Sequence, residues 1–195
     1  MDKDSKPQLK QYAVSDLIKN VGAKNHWQIL FTFRQSSAYD FNKDVGLIMV
    51  GGELCTDSIW CNDYVNRTLL SKNGGRIFKE MAPFPKTLRG HCAVFIDETT
   101  LMVMGGYELS KPPHPYYDET YMLNTKENVW SSGPPLNLPR AYHTCNIVTN
   151  CDGKQQVVVV GGYSGVCIDG ICAATYTNAV EIYDVESGAW SAGKN

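Results

Sequence analysis

The chain has 195 residues, 43% hydrophobic and 19% charged, with a formal net charge of −2. That balance describes a folded chain of one or two ordinary domains rather than a disordered one. A sequence pI near 6.1 offers no concentrated positive surface for a nucleic-acid backbone. Apolar runs such as LIMV and VVVV are far too short to cross a bilayer as helices.

The opening MDKDSKPQLK is polar and lacks the apolar core of a secretory signal. A cytoplasmic location is therefore the default expectation. An extracellular one follows if a signal peptide is missing and the loop cysteines are paired. AVSDLIKNVG reads as a short helix or an incomplete strand, and HWQILFTF as a strand. Beyond these, helical periodicity is nearly absent.

Three apolar runs then end in a glycine pair. GLIMVGG ends at Gly51 and Gly52, TLMVMGG at Gly105 and Gly106, and QQVVVVGG at Gly161 and Gly162. A loop and a second apolar segment follow each pair. The second unit contains strand candidates over 91–96, 100–104, 119–124 and 128–132. The third contains them over 143–149, 155–160, 178–183 and 188–192. Between them, DETT, LNTKEN, NCDGK and DVESG carry the Asp, Asn and Gly that satisfy turns.

A four-stranded repeat of roughly 50 residues is the arithmetic of a propeller blade. One such sheet cannot bury both its faces, whereas blades stacked around an axis can. The second strands are apolar without clean alternation, which fits coverage on both faces. A two-sheet sandwich does not require the same glycine pair at near-constant spacing.

The ordered set Arg89, His91, Gly105, Gly106, Tyr121 and Trp130 recurs as Arg140, His143, Gly161, Gly162, Tyr183 and Trp190. It recurs in part as Gly51, Gly52 and Tyr64, with Phe78 at the tryptophan position. This set resembles the kelch repeat family over roughly residues 27–195. The resemblance implies an all-β fold, a partial kelch-type β-propeller of about three four-stranded antiparallel blades. Residues 1–26 form an irregular segment or part of a preceding blade; 27–85, 86–137 and 138–195 form blades 1 to 3, the first divergent. Three blades are too few to close a ring and leave apolar faces open. The chain is then a fragment of a larger propeller, half of a ring completed by a homodimer, or an open arc capped by its N-terminal segment.

The glycine pairs serve the backbone, because no phosphate-cradling glycine motif opens a helix. Trp130, Trp190, Tyr121 and Tyr183 are expected to pack between blades. His91 and His143 recur at one repeat position, which argues for structure over catalysis. Arg89 and Arg140 hold turn carbonyls or a carboxylate, or reach a partner.

Seven cysteines leave at least one unpaired within the chain. With no C-x-x-C and with histidines distant from most of them, a zinc knuckle is poorly supported. Cys55 and Cys61 bracket one loop and Cys167 and Cys172 another, as local disulfides or as free thiols. Asn66-Arg67-Thr68 is a glycosylation sequon usable only on secretion.

The loops after the glycine pairs, 53–62, 107–119 and 163–178, are the functional candidates. Trp60, Tyr107, Tyr116, Tyr117, Tyr163 and Tyr176 offer aromatic contact area, and Lys111 and Asp118 polar specificity. The alternative is that these aromatics pack only their own loops. No catalytic motif emerges, and no cofactor or metal is expected. The expected function is protein–protein interaction through a loop-rich propeller face. An enzyme-associated or carbohydrate-binding propeller, and a structural subunit that completes a ring, are the alternatives.

Overall fold

The computed structural model describes residues 37–54, 63–108, 115–168 and 171–193. The readings of residues 1–26 and of HWQILFTF lie outside them.

The first unit contains β1 (Ala38–Asn42), β2 (Gly46–Val50), the short strands β3 (Glu53–Leu54) and β4 (Asp63–Tyr64), β5 (Thr68–Ser71) and β6 (Lys79–Glu80). The second contains β7 (Cys92–Phe95), β8 (Thr100–Met104), β9 (Thr120–Asn124) and β10 (Val129–Ser132). The third contains β11 (Thr144–Thr149), β12 (Gln155–Val160), β13 (Tyr163–Ile168), β14 (Ile171–Tyr176), β15 (Val180–Asp184) and β16 (Ala189–Ala192). Among the described residues these make three four-stranded antiparallel sheets, ordered β1-β2-β5-β6, β7-β8-β9-β10 and β11-β12-β15-β16. The hairpins β3-β4 and β13-β14 stand outside them as loop decorations. The fold is thus all-β, with propeller blades as the sequence predicts. The innermost strand β7 lies between β1 and β11, so the blades follow one another around an axis.

The core lies between blades, not within one. Strand β8 shows why. Leu101 and Val103 point to the first blade and join Ile48, Val50, Phe84 and Phe95. Met102 and Met104 point the other way and join Val157, Val159 and Tyr183 of the third. A strand covered on both faces has no use for polar alternation, which explains the continuous apolar run. Full burial of each such side chain contributes about 1.5–3 kcal/mol.

The glycine pairs are junction devices. All six glycines have positive φ, from 60° at Gly51 to 104° at Gly106. Their first members also seat the next blade's histidine. A Cβ on Gly51 would lie 2.9 Å from His91 Cε1, and one on Gly105 would lie 2.7 Å from His143 Cε1. His91 Nε2 donates to the Val50 carbonyl at 2.9 Å, just ahead of that glycine. Only glycine tolerates both the φ and the contact. The tryptophans close the same junctions from outside. Trp130 Nε1 donates to the Ala82 carbonyl at 3.0 Å, and Trp190 Nε1 to the Pro134 carbonyl at 2.9 Å. Phe78 stands one ladder step beyond the Leu70–Lys79 pair, opposite Ser71, as Trp130 stands opposite Leu123.

Three repeat equivalences need correction. Tyr64 lies in β4, paired with Glu53, outside the blade ladder. Tyr121 and Tyr183 differ in register: Tyr121 opposes Val103, two residues before Gly105, whereas Tyr183 opposes Val157, four before Gly161. Arg89 and Arg140 also differ. Arg89 bridges to Tyr107 as Ala141 bridges to Tyr163, so Arg140 takes the place of Leu88. The link RAYH has one residue more than RGH, and the blade absorbs it by moving its arginine inward. There Arg140 is fully buried, with Nη2 donating to Glu181 Oε1 at 2.7 Å and Nη1 donating to the carbonyls of Gly161 and Ala179. Glu181 also accepts the backbone N–H groups of Asn137 and Leu138.

A disulfide among the described residues joins two blades, a link the sequence reading did not include. Cys92 on β7 is bonded to Cys145 on β11, a sequence separation of 53 residues, and so ties the second blade to the third. The backbone sets Cys167 opposite Cys172 in the β13-β14 hairpin. Cys55 and Cys61 lie outside the described residues, and Cys151 is an exposed free thiol.

Each of these devices has a measurable cost when removed. A bridge enclosing 53 residues contributes up to about 4 kcal/mol through the unfolded chain. Reduction, or the double change Cys92→Ser and Cys145→Ser, will lower the urea midpoint accordingly. Arg140→Leu leaves Glu181 buried and unpaired and will cost about 3–5 kcal/mol, of which adding Glu181→Gln will recover part. Burial holds His91 down to about 4 and His143 down to about 3, the latter helped by Arg140 and His91. Their unfolded rings take up protons below about pH 6.5 while the folded ones stay neutral. Stability will therefore fall as pH drops from about 6.5 towards about 4, by up to about 1.4 kcal/mol per pH unit for each histidine. Urea titrations across that range will show the slope, and His91→Gln will reduce it.

Candidate functional site

The links entering the second and third blades pair with the loops that follow the glycine pairs. Arg89 and Tyr107 form one such bridge, and Ala141 and Tyr163 the other. This pairing brings tyrosines from two loops and one link into one row. Tyr116 stacks on Tyr107 with centroids 5.6 Å apart. Tyr107 meets Tyr142 at 5.7 Å, Tyr142 meets Tyr163 at 6.1 Å, and Tyr163 meets Tyr176 at 4.6 Å. Each spacing lies in the favourable range for aromatic pairs.

Exposure varies along the row: Tyr107 is buried at 8%, Tyr116 and Tyr163 are half-buried, and Tyr142 and Tyr176 are exposed at 42% and 79%. Hydroxyls join it as well: Tyr142 Oη donates to Tyr107 Oη at 3.3 Å, and Tyr163 Oη to Tyr176 Oη at 3.0 Å. That second bond raises the pKa of Tyr163, and burial raises that of Tyr116, so both remain neutral donors at physiological pH. The Arg89 guanidinium lies 4.8 Å from the Tyr107 centroid and 5.9 Å from that of Tyr142, placing a cation against two ring faces.

Tyr142 is the residue sequence reasoning missed. It stands where the preceding link has Gly90, and it keeps the glycine conformation: φ is 53° at Tyr142 and 65° at Gly90. A bulky residue in the left-handed region carries strain of order 1–3 kcal/mol, a feature concentrated at functional sites. Its signal in the sequence was an aromatic inserted into RAYH where the other unit reads RGH. Arg89, for which the sequence left a structural and a partner-reaching role open, lies against the same row.

The other candidates separate. Tyr107, Tyr116, Tyr163 and Tyr176 belong to the row. Tyr117 instead donates to Glu108 Oε2 at 3.0 Å and lies beneath the Lys86 ammonium, 3.8 Å from its ring centroid. Burial, reinforced by the Glu108 bond, pushes its pKa up to about 12. Lys86 also pairs with Glu119, which accepts the Tyr121 hydroxyl at 2.8 Å. Tyr117 thus packs its own loop. Asp118 contributes its backbone carbonyl to the Leu136 N–H at 2.8 Å. Trp60 and Lys111 lie outside the described residues.

A second concavity of about 410 Å³ lies along the axis, lined by the starts of the inner strands, with Tyr39, Asp40, His91, His143 and Asn146 among its walls. Asp40 is held by the N–H groups of Phe41 and Phe95. Neither ring nitrogen of His143 has a protein partner. No group of three or more metal-ligating side chains occurs among the described residues. No described helix is long and apolar enough to cross a membrane.

Comparison with known proteins agrees with this geometry. Residues 153–195 match the family model described as the Kelch motif. No curated protein matches the chain. Among solved structures, that of YjhT is similar with a TM-score of 0.60 at 14% identity, covering 83% of this chain. The chain spans 51% of the length of that structure. At such identity the likeness shows the fold alone, and the family match is to the Kelch motif over residues 153–195.

Proposed function

We propose that the loop face is a binding surface for a protein partner, with the tyrosine row as its contact. The observation that supports this reading most is Tyr142, an exposed aromatic kept at positive φ in the middle of the row. Tyrosine supplies large, rigid contact area with a polar tip and loses little side-chain freedom on binding. The Arg89 cation beneath adds polar specificity. A rigid blade scaffold positions the row before any partner arrives, which lowers the cost of association. The Cys92–Cys145 bridge supports an oxidising compartment as the place where this happens.

A second reading rests on the axial concavity, whose Asp40, His143 and Asn146 would suit a small polar ligand. The two readings place the contact at different residues, so substitutions separate them. A photo-crosslinker at position 176 will capture the partner, and titration of that partner follows. Tyr176→Ala and Tyr142→Gly will each weaken binding by about 30-fold or more. Tyr142→Gly accepts the same φ without strain, so stability will change by no more than about 1 kcal/mol. Unchanged binding in both variants, with loss in Asn146→Ala, would establish the axial reading instead.

A further inference from the structure

The third strand of each blade opens opposite the residue that precedes a glycine pair. Thr68 opposes Val50, Thr120 opposes Met104 and Val180 opposes Val160, so these three positions are equivalent. The residue two before each is Asn66, Asp118 or Asn178. The backbone carbonyls of Asn66 and Asp118 have one task, accepting from the Phe84 and Leu136 N–H groups at 2.7 and 2.8 Å.

The hydroxyls at the equivalent positions do not have one task. Thr120 Oγ1 donates to the Pro134 carbonyl at 2.8 Å. Thr68 is as deeply buried, at 1% exposure, yet its Oγ1 has no partner among the described residues. A buried hydroxyl without a hydrogen bond destabilises the fold. The third blade shows that the position takes a residue of the same shape with no hydroxyl, because Val180 stands there. Packing therefore does not account for the threonine at 68. Its spacing from Asn66 does. Asn66-Arg67-Thr68 is the single Asn-x-Ser/Thr triplet in the chain. A sequon needs a hydroxyl two residues after its asparagine. The unfolded chain presents that hydroxyl and the folded one buries it.

The surroundings of Asn66 suit a bulky substituent. Asn66 is exposed, and its side-chain amide has no partner among the described residues. Arg67 is engaged elsewhere, with Nε donating to Glu80 Oε1 at 2.6 Å. Main-chain bonds fix the segment on either side: the Val65 N–H donates to the Gly52 carbonyl at 3.1 Å, and the Gly51 N–H to the Arg67 carbonyl at 2.9 Å. A sugar on the Asn66 side chain disturbs neither. The Cys92–Cys145 bridge, in turn, belongs to the oxidising compartments in which sequons are used.

We propose that Asn66 carries an N-linked glycan, attached before the first blade folds. The donor is an oligosaccharide linked to a lipid pyrophosphate. Asn66 Nδ2 forms a C–N bond to the anomeric carbon of the first sugar as the bond from that carbon to the pyrophosphate oxygen breaks. The lipid pyrophosphate leaves, and one Nδ2 proton passes to solvent. Thr68 then closes into the core.

The test places the full chain behind a cleavable secretory leader and translates it with microsomes. Digestion with an amidase that removes N-glycans should lower its mass and convert Asn66 to aspartate. Asn66→Gln and Thr68→Val should each abolish that loss of mass, and Thr68→Ser should retain it. No glycan on the translocated chain, or a glycan that survives Asn66→Gln, overturns the proposal, and neither result requires the chain to fold. The folded, unglycosylated chain, offered to the same membranes after solubilisation, should stay unmodified; modification at that stage overturns the order of events. Stability separates this use of the hydroxyl from a structural one. In an Asn66→Gln background, Thr68→Val should leave the urea midpoint unchanged or raise it. A lower midpoint would give the hydroxyl a role in the folded state and overturn the proposal.

Discussion

A four-stranded blade has two apolar faces and can cover neither by itself. Everything else in this molecule follows from that constraint. Its cores are interfaces: one cluster between the first and second blades, another between the second and third. Strand β8 serves both, through Leu101 and Val103 on one side and Met102 and Met104 on the other. Stability is therefore a sum over junctions, and a blade without a neighbour is only half stabilised. The junction is specific as well as apolar, because an imidazole fits against a glycine that no other residue can replace. Burial keeps both imidazoles neutral and ties the interface to pH.

The same junction assembles the candidate binding surface. Each link runs across the top of its blade and pairs with the loop behind the glycine pair. Tyr107, Tyr142 and Tyr163 meet only because two links and two loops converge there. Nothing within one loop would hold such a row. The fold also carries the strain of Tyr142, which a mobile loop would relax. Structure and proposed function are coupled at one place: whatever seats His91 and His143 also positions the tyrosines.

The sequence was a good guide to elements and a poorer guide to equivalences. Strand candidates such as 100–104 and 155–160 coincide with β8 and β12, because β-branched and apolar runs bounded by turn residues have few other solutions. Arg89 and Arg140 looked alike because both stand shortly before a histidine. One inserted residue sends Arg140 inward to Glu181 and leaves Arg89 against the tyrosines. Tyr121 and Tyr183 likewise differ by two ladder positions, which spacing within a loop-containing repeat conceals. The Cys92–Cys145 bridge joins residues 53 apart, and no local spacing marks it.

What the sequence determined by itself is the repeat: short apolar strands, turn residues between them, and glycine pairs that mark positive φ. These depend on local chemistry, and local chemistry is written in consecutive residues. Tertiary structure alone decided which glycine faces which histidine, which arginine is buried, which cysteines meet, and that five tyrosines form a row. Those outcomes depend on the angle at which one sheet meets the next and on the register of each link. Both are set by packing across blade interfaces, between residues more than fifty positions apart.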